Sequence, residues 1–114
     1  MSKREVKLSL TDIDDAISAI QSYTKDMTYE QLLSDRKTRE AIILNFVVIG
    51  EAIKKIPHEI IDRHPNVPWK ELAGMRDKMV HGYFQISPTI VWETSRHDLS
   101  PLAAVVKVLL QEYI

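Results

Sequence analysis

In the first quarter of the chain, Leu10, Ile13, Ile17, Ile20 and Tyr23 recur at spacings of three and four. Residues spaced this way share one face of a 3.6-residue turn, so the pattern predicts an amphipathic helix. Ser9 or Thr11 can cap its start, with Asp12 or Asp14 three residues on. Asp12, Asp14 and Asp15 then read as an acidic first turn, favoured by the helix dipole. Thr28-Tyr29-Glu30-Gln31 is a second capping-box pattern and opens a short turn of helix. A long helix is predicted from about Arg36 to Ile56. Ile42, Phe46, Ile49, Ile53 and Ile56 form one stripe along it, and Ile43, Leu44, Val47 and Val48 fill much of the remaining circumference. A helix apolar nearly all round is covered on more than one side. In so small a chain the expected second cover is another subunit, which predicts a homodimer.

Beyond this helix, Pro57 opens a short helical segment to about His64, and Pro65-Asn66-Val67-Pro68 reads as a turn. Pro68 suits the first position of a helix running from Trp69 to about His81. Gly82 is placed to end that helix in the left-handed conformation. Ser87 caps a last helix with Pro88 at its first position, and Leu99, Leu102, Val105, Val106, Leu109 and Tyr113 continue its apolar face. Pro101 predicts a kink or break near Asp98 to Ser100. No stretch alternates convincingly with period two. The fold class is therefore all-α, a bundle of four to five helices, and a length of 114 residues predicts a single domain over 1–114.

Composition narrows the chemistry. There are no cysteines, which removes disulfides and thiolate metal sites and fits a reducing cytoplasm. The charged N-terminus has no apolar run behind it, unlike a signal peptide. The longest apolar run, from Ala41 to Ile49 and broken by Asn45, is far short of the ~18 residues of a membrane span. His58, His64 and His97 have no metal-ligand spacing, so neither a metal nor a cofactor is expected. The formal net charge is −1 and the pI about 6.4. A nucleic-acid binder usually carries a basic excess, so any RNA contact here must rest on a local patch.

The densest chemistry is Arg76-Asp77-Lys78-Met79-Val80-His81-Gly82-Tyr83, at the end of a predicted helix. An arginine offers a planar fork of donors to a phosphate, and a histidine moves protons near neutral pH. Together they are the minimum equipment for metal-free cleavage of a phosphodiester. On a helix, positions five apart diverge by about 140° and are about 7.5 Å apart along the axis. Arg76 and His81 of one chain thus leave on different faces. Either Arg76 reaches along the helix, or a two-fold dimer pairs it with the partner copy's histidine. Asp77 and His81 are four apart and share a face, so Asp77 can orient the imidazole. The plainer readings are that Arg76 pairs with Asp77 or Glu71 and that His81 caps the helix. Lys54-Lys55 and Arg36-Lys37 read as solvated faces.

The sequence from Arg76 to Phe84, followed by Ile90-Val91-Trp92, resembles the signature of HepT-like toxins of the HEPN superfamily. Ile49-Gly50-Glu51-Ala52-Ile53-Lys54-Lys55-Ile56 looks like the end of that family's second helix, and Pro68 to Met75 is similar too. The resemblance covers nearly the whole chain and implies several things. HEPN domains are α-helical, commonly dimerise around a shared cleft, and are in many cases metal-independent ribonucleases. HepT-like toxins of type VII toxin–antitoxin systems are partnered by MntA-like nucleotidyltransferase antitoxins. Those antitoxins can transfer AMP to the tyrosine of Arg-x4-His-x-Tyr. Carried over, Arg76 and His81 are catalytic, Asp77 supports them, and Tyr83 is the AMPylation site. The partners implied are RNA, the antitoxin and a second copy. The competing expectation is a non-catalytic helical partner that docks a nucleotidyltransferase and uses Arg76 and Tyr83 to recognise a nucleotide.

Overall fold

The cap of the first helix lies seven residues earlier than the earlier of the two expected positions. The computed structural model describes residues 2–82 and 85–113. Within them α1 spans Lys3–Thr24, and the Ser2 side chain accepts a hydrogen bond from the Glu5 amide. Val6 is already buried, so the apolar stripe begins one turn before Leu10. Ser9 is buried, and the Thr11 hydroxyl donates to the Lys7 carbonyl at 2.8 Å. Neither is a cap. Asp12, Asp14 and Asp15 therefore sit inside the helix and not in its first turn.

The remaining helices are α2 (Tyr29–Leu33), α3 (Arg36–Lys54), α4 (His58–Asp62), α5 (Trp69–His81), α6 (Pro88–His97) and α7 (Leu99–Gln111). The fold is all-α, with no strand among the described residues. Two of these helices have only five residues and match the short segments expected after Thr28 and Pro57. The capping box at Thr28 is formed in full: Gln31 N donates to Thr28 Oγ1, and Thr28 N donates to Gln31 Oε1. The break between α6 and α7 falls at Asp98, where Pro101 predicted it. Gly82 differs from expectation. Its φ is −130°, and α5 ends on a hydrogen bond from the Gly82 amide to the Lys78 carbonyl at 2.8 Å. The helix stops without a left-handed residue.

α3 is the hub. It packs on α1 along one side and on α5 along another, while α7 packs on α1 and α6 on α2 and α7. The expected stripe Ile42, Phe46, Ile49, Ile53 and Ile56 is buried against Leu10, Ile13, Ile17 and Ile20 of α1 and Leu72 and Met79 of α5. α7 closes the other flank with Leu99, Leu102, Val106 and Leu109. Leu44 and Val48 lie on the third side of α3 and stay 64% and 37% exposed.

Candidate functional site

The site grows from one close approach. α3 and α5 meet where Gly50 faces Arg76 and Leu72. A Cβ at position 50 would overlap the Arg76 Cβ and lie 3.3 Å from the Leu72 carbonyl oxygen. Without that Cβ, the base of the Arg76 side chain lies directly on the α3 backbone. The next α3 residue, Glu51, reaches its carboxylate to Arg76 Nε. This nitrogen is closed off from solvent, and its contact with Glu51 is an ion pair without an aligned hydrogen bond. Arg76 Nη1 donates to Asp77 Oδ1 at 3.0 Å. Lys54 Nζ, one turn beyond Gly50, donates to the same oxygen at 2.6 Å.

Two cations and two carboxylates thus interlock across the α3–α5 crossing, and their formal charges cancel. Asp77 has a carboxyl held below the usual carboxylate range, first by the Lys54 hydrogen bond and then by Arg76. This is the direction expected when cationic donors favour the charged form. Arg76 is three-quarters shielded, whereas Lys54, Glu51 and Asp77 are about half exposed. The cluster therefore lies at the rim of the bundle.

His81 ends α5 and is exposed. It lines a cavity of about 350 Å³ together with Met75, Lys78, Gly82, Gln85 and Ile86. Among the described residues no hydrogen bond joins His81 to Asp77, whose carboxylate faces Lys54 and Arg76 instead. Arg76 and His81 leave α5 in different directions, as their spacing requires. Tyr83 lies outside the described residues. Among the described residues no three His, Asp or Glu side chains gather to hold a metal, and no helix is long and apolar enough to cross a membrane.

Glu51, Gly50 and Lys54 are what sequence reasoning missed as parts of the site. Gly-Glu-Ala entered only through the family resemblance, and Lys54 read as a solvated face. One cue was present. A glycine inside a helix costs about 1 kcal/mol relative to alanine, so Gly50 in the middle of an otherwise strong helix signals a close approach.

An all-α bundle with an arginine braced at a helix crossing and a histidine at the end of the same helix is the class of structure that the described residues define. The comparisons give that class a family. The model of the family described as "Ribonuclease HepT-like" matches residues 13–109. A Methanocaldococcus jannaschii protein named "Putative RNase" is 44% identical over 99 residues, covering 87% of this chain and 85% of its own. A Thermococcus cleftensis protein named "Probable ribonuclease HepT" is 41% identical over 100 residues, covering 88% of this chain and 91% of its own. No solved structure matches significantly. The chain belongs to the HepT-like ribonuclease family.

Proposed function

We propose that this single-domain chain is a metal-independent endoribonuclease, the toxin of a toxin–antitoxin pair, working in the cytoplasm as a homodimer. Family membership supports RNA as the substrate. The observation that carries the catalytic reading is the bracing of Arg76 at the α3–α5 crossing, with His81 exposed at the end of the same helix. In this mechanism His81 takes the proton of a ribose 2′-hydroxyl, and the 2′-oxygen attacks phosphorus. The bond to the 5′-oxygen breaks, and the leaving oxygen takes a proton from an acid. The partner copy's histidine is well suited to be that acid. Arg76 stabilises charge on the non-bridging oxygens. Asp77 supports this by helping to hold the guanidinium, not by orienting the imidazole. The nucleophile belongs to the RNA, so DNA should be inert and EDTA should not inhibit.

The dimer reading rests on the uncovered side of α3. Leu44, Val48 and Glu51 follow one another at spacings of four and three, and Arg76 and Val80 are four apart on α5. Glu51 pairs with Arg76, so the two stripes meet. The exposed apolar residues Leu44, Val48 and Val80 therefore flank the arginine. A second copy placed there would bring two motifs together.

A second reading draws on the charge balance. The cluster around Arg76 is neutral, which suits a binding partner of a nucleotidyltransferase better than a strong RNA binder. Incubation of purified protein with total RNA in EDTA separates the two. Wild type should degrade the RNA, and His81→Ala and Arg76→Ala should lose at least about a hundredfold in rate, as for loss of an acid–base group or oxyanion donor. Both variants should melt close to wild type. Full activity in either ends the catalytic assignment.

A further inference from the structure

We infer that Glu51 is a positioning residue for RNA cleavage, holding the Arg76 guanidinium from its Nε side so that Nη2 meets the phosphate. The inference rests on the proposed role of Arg76 and adds a residue from a different helix.

A free arginine side chain carries about 2 kcal/mol of rotamer entropy, and a phosphate-binding fork is effective only when held in place. α5 cannot supply that hold alone. The neighbours of Arg76 one turn away are Leu72 and Val80, which offer no side-chain acceptor. The further hold comes from α3. Glu51 takes the Nε side of the guanidinium, the nitrogen nearest the stem. Asp77 takes one hydrogen of Nη1 at 3.0 Å. Among the described residues Nη2 has no hydrogen-bond partner. A carboxylate gripping Nη1 and Nη2 together would compete with a phosphate for the same fork. One on the Nε side holds the guanidinium near its stem and leaves Nη2 accessible. Gly50 makes the grip possible, because a Cβ there would push Arg76 away from the α3 backbone that carries Glu51. Lys54 completes the arrangement by drawing Asp77 toward α3 at 2.6 Å. The Glu51 side chain is 44% exposed, so its carboxylate is not a core group.

The test uses full-length protein and a labelled, mixed-sequence oligoribonucleotide. Glu51→Gln keeps the volume and removes the charge. Its kcat should fall about tenfold or more, as misplacing a catalytic group does. KM should stay level or drop, because an anion has left the neighbourhood of the substrate phosphate. In an Arg76→Lys background, where there is no Nε to hold, the same substitution should cost less than about threefold, the non-additivity of residues acting as one unit. The melting temperature should stay within a few degrees of wild type. The inference is overturned by a Glu51→Gln kcat within twofold of wild type, by an equal loss in both backgrounds, or by a variant that melts more than about 10 °C lower, which would make Glu51 a stability residue. Inactive Arg76→Ala beside fully active Glu51→Gln removes this inference alone. Active Arg76→Ala removes the proposed function beneath it.

Discussion

Asp77 illustrates how much a single side chain's partner matters. Helical spacing placed it beside His81, yet its carboxylate serves Lys54 and Arg76. Its folded pKa is depressed, so the stability it contributes is present above the unfolded value of about 3.9 and is lost as pH falls through the folded value. Asp35 is depressed as well, chiefly by the Thr38 hydroxyl and amide. Asp77→Asn should therefore lower the urea midpoint slightly at pH 7, as for exposed pairs, and flatten its fall below about pH 4 by the same small amount. An unchanged acid limb would show that the carboxyl is not held low. Tyr83 supplies the other prediction at this scale. Co-expressed with a cognate nucleotidyltransferase, the chain should carry AMP on Tyr83 and on none of Tyr23, Tyr29 and Tyr113. The added negative phosphate should weaken cleavage by repelling the RNA phosphate. Peptide mass spectrometry decides this, and AMP on another tyrosine sinks it. Tyr83→Phe should stay active yet escape neutralisation, with a catalytically dead antitoxin controlling for simple binding.

The elements were legible where periodicity and caps agree. The α3 stripe, the Thr28 capping box and the break at Asp98 all follow from local patterns that need no tertiary knowledge. The start of α1 did not follow. A lone Val6 gives too little periodicity to extend the stripe, and Ser9 and Thr11 imitate caps. The candidate site divides the same way. Arg76 and His81 are one local motif, but Glu51 and Gly50 join it through a crossing of two helices that no spacing encodes. That crossing is also where a small change should cost most. Gly50→Ala would keep helix propensity and even improve it by about 1 kcal/mol, yet its Cβ collides with Arg76. Overpacking of this kind costs about 1–3 kcal/mol, and the colliding atom is a Cβ that cannot swing away as a side-chain tip can. We expect a net loss in melting temperature of several degrees, together with a fall in activity. A Gly50→Ala chain more stable than wild type would show that α3 and α5 do not approach this closely.

At the scale of the whole molecule, the proposed dimer covers the outer side of α3. Leu44 at 64% exposure is among the most exposed large apolar side chains of the described residues. Sedimentation at micromolar concentration should show a species of twice the chain mass. Leu44→Asp with Val48→Asp should reduce it to a monomer, since paired charges at the centre of an apolar contact lose their hydration. Neither residue belongs to the buried core, so the fold should survive. A wild-type chain that sediments only as a 13.1 kDa monomer would end the dimer proposal. The position of this apolar stripe, flanking Arg76, has a consequence for dosage. Where two copies must meet to complete a cleft, the number of working clefts at low abundance follows the square of the number of chains, so halving the chains removes about three-quarters of the clefts by mass action. Cleavage by such a protein would stay low while copies are few and climb steeply, as the square of their number, once they accumulate.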